Sequence, residues 1–269
     1  MRDLGWDMRT FKGPNLATTM GKVGGLLLVF ILFTMPFPGC IGSINENSSI
    51  DLEVDLPVNN GTIVETYVDG ALSSTQNVVF TFDFSGTTAT NQIVTYGIDL
   101  RNGDEPVLVD AATTSSVEVT FNDHGVYAVD AFAIDEADVR ANMTVSIRIE
   151  FRMEWTETNT NDPLPLVFDP AAGNQGEDPI MIEVHSTVEN PSLVSQIGGG
   201  GQTVAFTWSI VDDQNEACQS RSGQAEDGGS DSWNTAHFNT YGIHELRVQY
   251  EDGQDYINVE HSLSILYKS

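Results

Sequence analysis

VSIRIEFRMEW, residues Val145–Trp155, alternates without a break. Val145, Ile147, Ile149, Phe151, Met153 and Trp155 fall on one side, and Ser146, Arg148, Glu150, Arg152 and Glu154 on the other. A period of two means a β-strand with one face buried and one wet. The interleaved Arg and Glu of the wet face allow cross-strand ion pairs, each worth little where exposed. Working outward, Asn77–Phe84 (NVVFTFDF) sets Val78, Phe80, Phe82 and Phe84 on one side, and Thr203–Ile210 (TVAFTWSI) does the same with Val204, Phe206, Trp208 and Ile210. Shorter runs of the same kind are Ile50–Leu56, Thr62–Val68, Ile93–Leu100, Val107–Val109 and Ser116–Phe121. Val126–Ile134, Ile180–Val188, Ile243–Tyr250 and Tyr256–Tyr267 complete the set. Turn formers such as Asn59-Asn60-Gly61, Asn102-Gly103-Asp104 and Asp252-Gly253 separate them. No helical stripe interrupts this pattern. Many short strands at near-regular spacing predict an all-β chain of antiparallel sandwiches.

The chain also resembles itself. Phe121–Val126 reads FNDHGV and Phe238–Ile243 reads FNTYGI, 117 residues later, which is about one sandwich domain. At the same offset Asp135 meets Asp252. Val94–Asp99 (VTYGID) matches Phe206–Val211 (FTWSIV), and Val145-Ser146-Ile147 matches Leu263-Ser264-Ile265 with one residue inserted. In both copies the shared glycine, Gly125 or Gly242, stands at a corner before a strand. A positive φ or a close backbone approach is cheap there only for glycine.

This block order resembles the PKD domain, an immunoglobulin-like β-sandwich. The residues that carry it in the first copy are Tyr96-Gly97-Ile98-Asp99 with Asn102-Gly103-Asp104, then His124–Asp130, then Thr144–Ile149. In the second copy they are Trp208–Asp213, Tyr241–Leu246 and Ser262–Leu266. Neither copy holds an intact WDFGDG. The resemblance implies tandem binding or structural modules rather than catalytic ones. The expected organisation is a sandwich over 51–155, a polar linker at 156–163 (TETNTNDP) and a second sandwich over 164–269, with Gly198–Gly201 as a loop inside it.

Ahead of this lies a basic stretch with Arg2, Arg9, Lys12 and Lys22, then the apolar run Val23–Met35, then Pro36-Phe37-Pro38-Gly39-Cys40. Those are the parts of a secretory signal over 1–39. Thirteen apolar residues are short for a membrane span, which needs roughly 20. An uncleaved N-terminal anchor is the other reading. Gly39-Cys40 before the polar tether 40–50 is similar to the lipobox of bacterial and archaeal surface lipoproteins. It implies a lipid on Cys40, export, and attachment to the membrane on the extracellular face. The other cysteine is Cys218, so a Cys40–Cys218 disulfide is the rival to lipidation.

The 269-residue chain has 11 Lys+Arg, 39 Asp+Glu and a formal charge of −28. The leader takes four of those basic residues and two of the acidic ones with it, leaving a mature charge of about −30. Such a surface repels nucleic acid and anionic headgroups and keeps a surface protein soluble in salt.

The histidines are His124, His185, His237, His244 and His261, and none sits in HExxH or C-x-x-C spacing. His237, His244 and His261 converge only if the strands bring them together. No G-x-S-x-G elbow and no phosphate-binding glycine loop occurs. Asp99, Asn102 and Asp104, and Asp212, Asp213 and Glu216, make oxygen-rich turns of a kind that holds calcium, or that simply faces solvent. Asn47, Asn60 and Asn142 head glycosylation sequons. The expectation is therefore a non-enzyme with no cofactor beyond a possible calcium ion. Its role would be adhesion, spacing or ligand display at the cell surface. The alternative is a substrate-binding accessory, for polysaccharide or protein, of an extracellular hydrolase system.

Overall fold

The computed structural model describes residues 49–192, 201–251 and 255–268. The leader, Cys40, Asn47, Asp252-Gly253 and most of the Gly198–Gly201 loop lie outside the described residues. The described residues form strands and no helix. In chain order they are β1 (Ile50–Asp51), β2 (Asn60–Val68), β3 (Ala71–Gln76), β4 (Val78–Asp83), β5 (Thr88–Ala89) and β6 (Ile93–Asp99). Next come β7 (Val107–Asp110), β8 (Ser116–Phe121), β9 (Gly125–Asp135), β10 (Arg140–Thr160), β11 (Leu166–Phe168) and β12 (Met181–Glu189). The last are β13 (Val204–Asp212), β14 (Ala217–Ala225), β15 (Ser230–His237), β16 (His244–Tyr250) and β17 (Ile257–Leu266).

Strand β10 organises everything else. It is 21 residues long, and the alternating run lies at its centre. Its first half pairs with β9, Arg140↔Ile134 through Ile149↔Gly125. Its second half pairs with β17, Phe151↔Ile265 through Thr160↔Ile257. β2 pairs along the middle, Arg148↔Asn60 through Thr156↔Val68. Because Phe151–Thr156 are shared by β17 and β2, these two neighbours lie on opposite edges of β10. Every other ladder among the described residues is antiparallel, and that of β2 with β10 is parallel.

One face of this one strand serves two cores. Ile147 and Ile149 are fully buried in the first, between the long sheet and β4–β8, with Phe80, Phe82, Val119 and Val129. Met153 and Trp155 are buried in the second, between the same sheet and β11-β16-β13-β14, with Phe206, Trp208, Leu246 and Leu263. Phe151 packs against both. The described residues thus form one compact unit.

Two expectations need correction. The polar stretch 156–163 is strand as far as Thr160, pairing with Glu260, Val259 and Ile257 of β17. Its threonines are β-branched and suit a strand. Its glutamate, Glu157, is buried, and a carboxylate oxygen accepts the Leu164 N–H at 3.0 Å. The run Ile50–Leu56 is strand only at Ile50–Asp51, with a lone bridge from Asp55 to Asp83.

The two copies also differ in where their last strand goes. In the first, β10 lies beside β9 in the long sheet. In the second, β17 pairs with β12 and β10, and the place beside β16 is taken by the short β11. The repeated corner holds in both. Gly125 has φ 150° and Gly242 has φ 75°, conformations that L side chains rarely adopt.

Candidate functional site

The first copy's corner, Phe121–Val126, is where the two halves meet. Phe121 is buried in the first core, and His124 stacks on Phe151 at 5.1 Å. Burial raises the Tyr267 phenol and lowers the His124 imidazole, with Asp123 and Asp169 opposing the latter. His124 Nδ1 and the Tyr267 hydroxyl share a 2.6 Å hydrogen bond. From the second half, the β11–β12 loop closes over the same corner. Gly173 N–H donates to His124 O at 3.0 Å, and Asn174 Nδ2 donates to Val126 O at 2.8 Å. A side chain at Gly125 would collide with Asn174.

Beside this lock runs an open groove of about 820 Å³. Asn102, Asp104, Asn122, Asp123, Tyr127 and, from the β11–β12 loop, Gln175 are among the residues that line it. Concave sites with a few convergent polar groups are common where two packed bodies meet. Tyr127 gives its O–H to Asp123 O at 2.7 Å, and burial followed by the Asp123 charge pushes its pKa up to about 12. The lining is therefore amide, carboxylate and phenol together with the Arg101 guanidinium, which is paired with Asp130.

Sequence reasoning pointed at part of this groove for a different reason. Asn102 and Asp104 line it, but their polar atoms are engaged with each other. Asn102 Nδ2 donates to Asp104 Oδ2 at 2.7 Å, and Asp104 N–H donates to Asn102 Oδ1 at 3.1 Å. Asp99 accepts the Arg101 N–H at 2.8 Å, while the Arg101 guanidinium reaches across to Asp130. Thr144 and Arg101 hydrogen bonds hold the Asp130 carboxyl below its ordinary range. The second turn is built the same way, with Asp212 Oδ1 accepting from Gln214 N at 3.0 Å and Glu216 N at 2.9 Å. Asp213 and Glu216 are exposed. Asn60 and Asn142 are exposed strand residues, on β2 and β10.

The histidines divide. His261 lies in the second core, its Nδ1 2.8 Å from Ser186 Oγ, which also accepts the Trp208 indole N–H at 2.7 Å. His185 is exposed on β12. His237 and His244 do converge, ring centroids 4.9 Å apart, and the third group beside them is Cys218 rather than His261. Sequence reasoning missed this cysteine as a partner of the histidines. Only the register of opposed sheets brings it there.

No family model matches the chain, and no curated protein matches it. Solved structures with some likeness are β-sandwich modules. One is described as carbohydrate-binding modules from the β-sandwich superfamily, at 9% identity and TM-score 0.30, covering 80% of this chain and 97% of that one. Another is the set of fibronectin(III)-like modules of Clostridium thermocellum CbhA, at 10% identity and TM-score 0.25, covering 74% and 92%. A third is Bacteroides ovatus SGBP-B from a mixed-linkage glucan utilization locus, solved with a heptasaccharide, at 10% identity and TM-score 0.18, covering 75% and 52%. TM-scores this low carry nothing about ligand or activity.

Proposed function

We propose that this protein is a non-catalytic, exported surface protein with PKD-like sandwiches, tethered through a lipid on Cys40, that presents the junction groove to a neutral polar ligand such as a polysaccharide. The observation that carries this reading is the junction itself. A continuous strand crosses it, and the His124–Tyr267 and Asn174–Val126 bonds fasten it, so the groove walls are held in fixed relation. Binding to preformed walls loses less entropy than binding to mobile ones. The charge supports a neutral ligand, because a surface near −30 repels polyanions. A lining of amides, carboxylates, the Arg101 guanidinium and a tyrosine suits hydroxyl groups.

Affinity electrophoresis of the full-length protein against soluble β-glucan, xylan and mannan tests the groove. At least one should retard it. Asn102→Ala and Gln175→Ala, one from each half of the chain, should each weaken retardation about fivefold, the worth of one hydrogen bond of ~1 kcal/mol. Unaltered retardation in both variants, or none with any polymer, counts against the groove.

The tether is tested separately, by intact mass of the protein extracted from membranes. A mature chain starting at Cys40 and carrying acyl mass is the expected result. An unmodified Cys40, or a start elsewhere, removes the lipid from the reading.

A further inference from the structure

At one end of the second core, three strand ends from two facing sheets come together. Cys218 is the second residue of β14, His237 the last of β15 and His244 the first of β16. The cysteine sulfur and one ring nitrogen of each histidine lie within 4.8 Å of one another. The two histidines are 3% and 0% exposed, and the Nε2 atom of each is buried without a hydrogen-bond partner. A buried imidazole nitrogen left unpartnered is destabilising, and two of them at one place call for a common explanation.

We propose that Cys218, His237 and His244 are the ligands of a transition-metal site, occupied by Zn²⁺ or a similar thiolate- and imidazole-preferring ion, with one coordination position open to solvent.

The surroundings fit an ion in several ways. His244 Nδ1 lies 2.9 Å from Gly242 O, so it carries the proton and donates, which leaves the Nε2 lone pair free for a metal. That is the usual second bond of a metal-ligating histidine. Phe168 stacks on the same ring at 5.6 Å and 16°, fixing its plane. The strands carrying the other two ligands are tied by Gln219, whose Nε2 donates to Ala236 O at 3.0 Å and whose Oε1 accepts from Thr235 at 2.9 Å. A tetrahedral zinc ion with bonds of about 2.0 and 2.3 Å sets its nitrogen and sulfur ligands about 3.5 Å apart. The group must therefore tighten by roughly an ångström, and the exposed Cys218 is the ligand with room to move.

A cysteine–histidine nucleophile fits less well. A reactive thiolate needs a cationic neighbour, whereas Cys218 stands two residues from Glu216 in the acidic Asp212–Glu216 turn. A bound cation displaces the thiol proton, and the acidic turn at Asp212–Glu216 offsets the charge it brings. Thiolate with two imidazoles suits zinc or copper and not calcium or magnesium.

The test is titration of the full-length, reduced, metal-free protein with Co²⁺ as a spectroscopic probe. The expected result is one ion per chain, a thiolate-to-cobalt charge-transfer band, and displacement by one equivalent of Zn²⁺ but not by Ca²⁺ or Mg²⁺. Cys218→Ser, an exposed position whose change leaves the cores intact, should abolish the band and weaken binding at least tenfold, in line with the order of 10–100-fold seen even for outer-shell partners. Cys40→Ser should change nothing. His237→Gln is the second variant and should weaken binding while keeping the sulfur band. Preference for Cu²⁺ with the same loss in Cys218→Ser keeps the site and reassigns the ion. Absence of the band, a band that follows Cys40, or equal affinity in Cys218→Ser overturns the proposal.

Discussion

A fragment comprising residues 164–269 is expected not to fold by itself, whereas one beginning at residue 150 is expected to show a cooperative thermal transition. The repeat and the polar stretch at 156–163 invite a cut at that stretch, and β10 is the reason the cut fails. Met153 and Trp155 are both 5% exposed within the second core, yet both lie upstream of it. Losing a buried methionine costs about 2–5 kcal/mol and a buried tryptophan about 3–5. β17 also loses its ladder along one edge, from Phe151 to Thr160. Together these match the whole stability of an ordinary domain, about 5–15 kcal/mol. The complementary fragment, 49–155, keeps every buried member of the first core, from Ile63 to Ile149, and should fold with lower stability because the Asn174 lock is gone. Near-ultraviolet circular dichroism through a thermal scan reads the difference. A cooperative transition in 164–269 would show that the shared strand is dispensable.

What could be read in the sequence was whatever alternates. Asn77–Phe84, Val145–Trp155 and Thr203–Ile210 each bury the face that parity assigns, down to Phe82, Ile149 and Trp208 at 0% exposure. The corner glycines were also legible, because a positive φ leaves a residue-type signature. Strands whose two faces are both wet left no such trace. β3 (ALSSTQ) is exposed throughout, and β14 (ACQSRSGQA) is buried only at Ala225, since both lie at sheet edges. Nor does parity say which core a buried face enters. Ile149 and Met153 are equivalent by alternation and lie in different cores, because the facing sheet changes between them.

The same limit explains the candidate sites. The groove needs the β11–β12 loop laid across the first copy's corner, and nothing local to Gln175 announces that. His237 and His244 stand seven residues apart across a turn, which already allows their meeting. Cys218 reaches them only because β14 and β15 lie at the margins of opposed sheets. Its sequence context, Glu216-Ala217-Cys218-Gln219, reads as solvent-facing, and the cysteine is indeed exposed. His261 was the more legible residue. It continues the buried parity of Ile257, Val259, Leu263 and Ile265, which places it inside.

That burial predicts a large acid sensitivity. Burial lowers the His261 imidazole to about 3, with a Glu260 backbone hydrogen bond working weakly the other way. Once unfolded, the same group titrates near 6.5. Between about pH 6.5 and 3 the unfolded chain thus binds a proton that the folded chain refuses, so stability falls as the pH falls through that window. The slope is about 1.4 kcal/mol per pH unit for one proton, or roughly 2 kcal/mol between pH 6.5 and 5. His124 and His237, both lowered by burial, act in the same direction. Asp83 and Asp130 are lowered too, but their stabilisation is lost only below the ordinary carboxylate range, and both are exposed enough for solvent to screen it. Urea unfolding of the chelator-treated protein at several pH values from 7 to 5 measures the slope. His261→Leu keeps the volume roughly and removes the titrating group, although it leaves the Ser186 hydroxyl without its imidazole and lowers stability at pH 7. The variant's stability should depend on pH with about one proton fewer than the parent's. A variant whose slope equals the parent's would mean that His261 takes up its proton inside the fold, and that the Ser186–Trp208 network accommodates a charge.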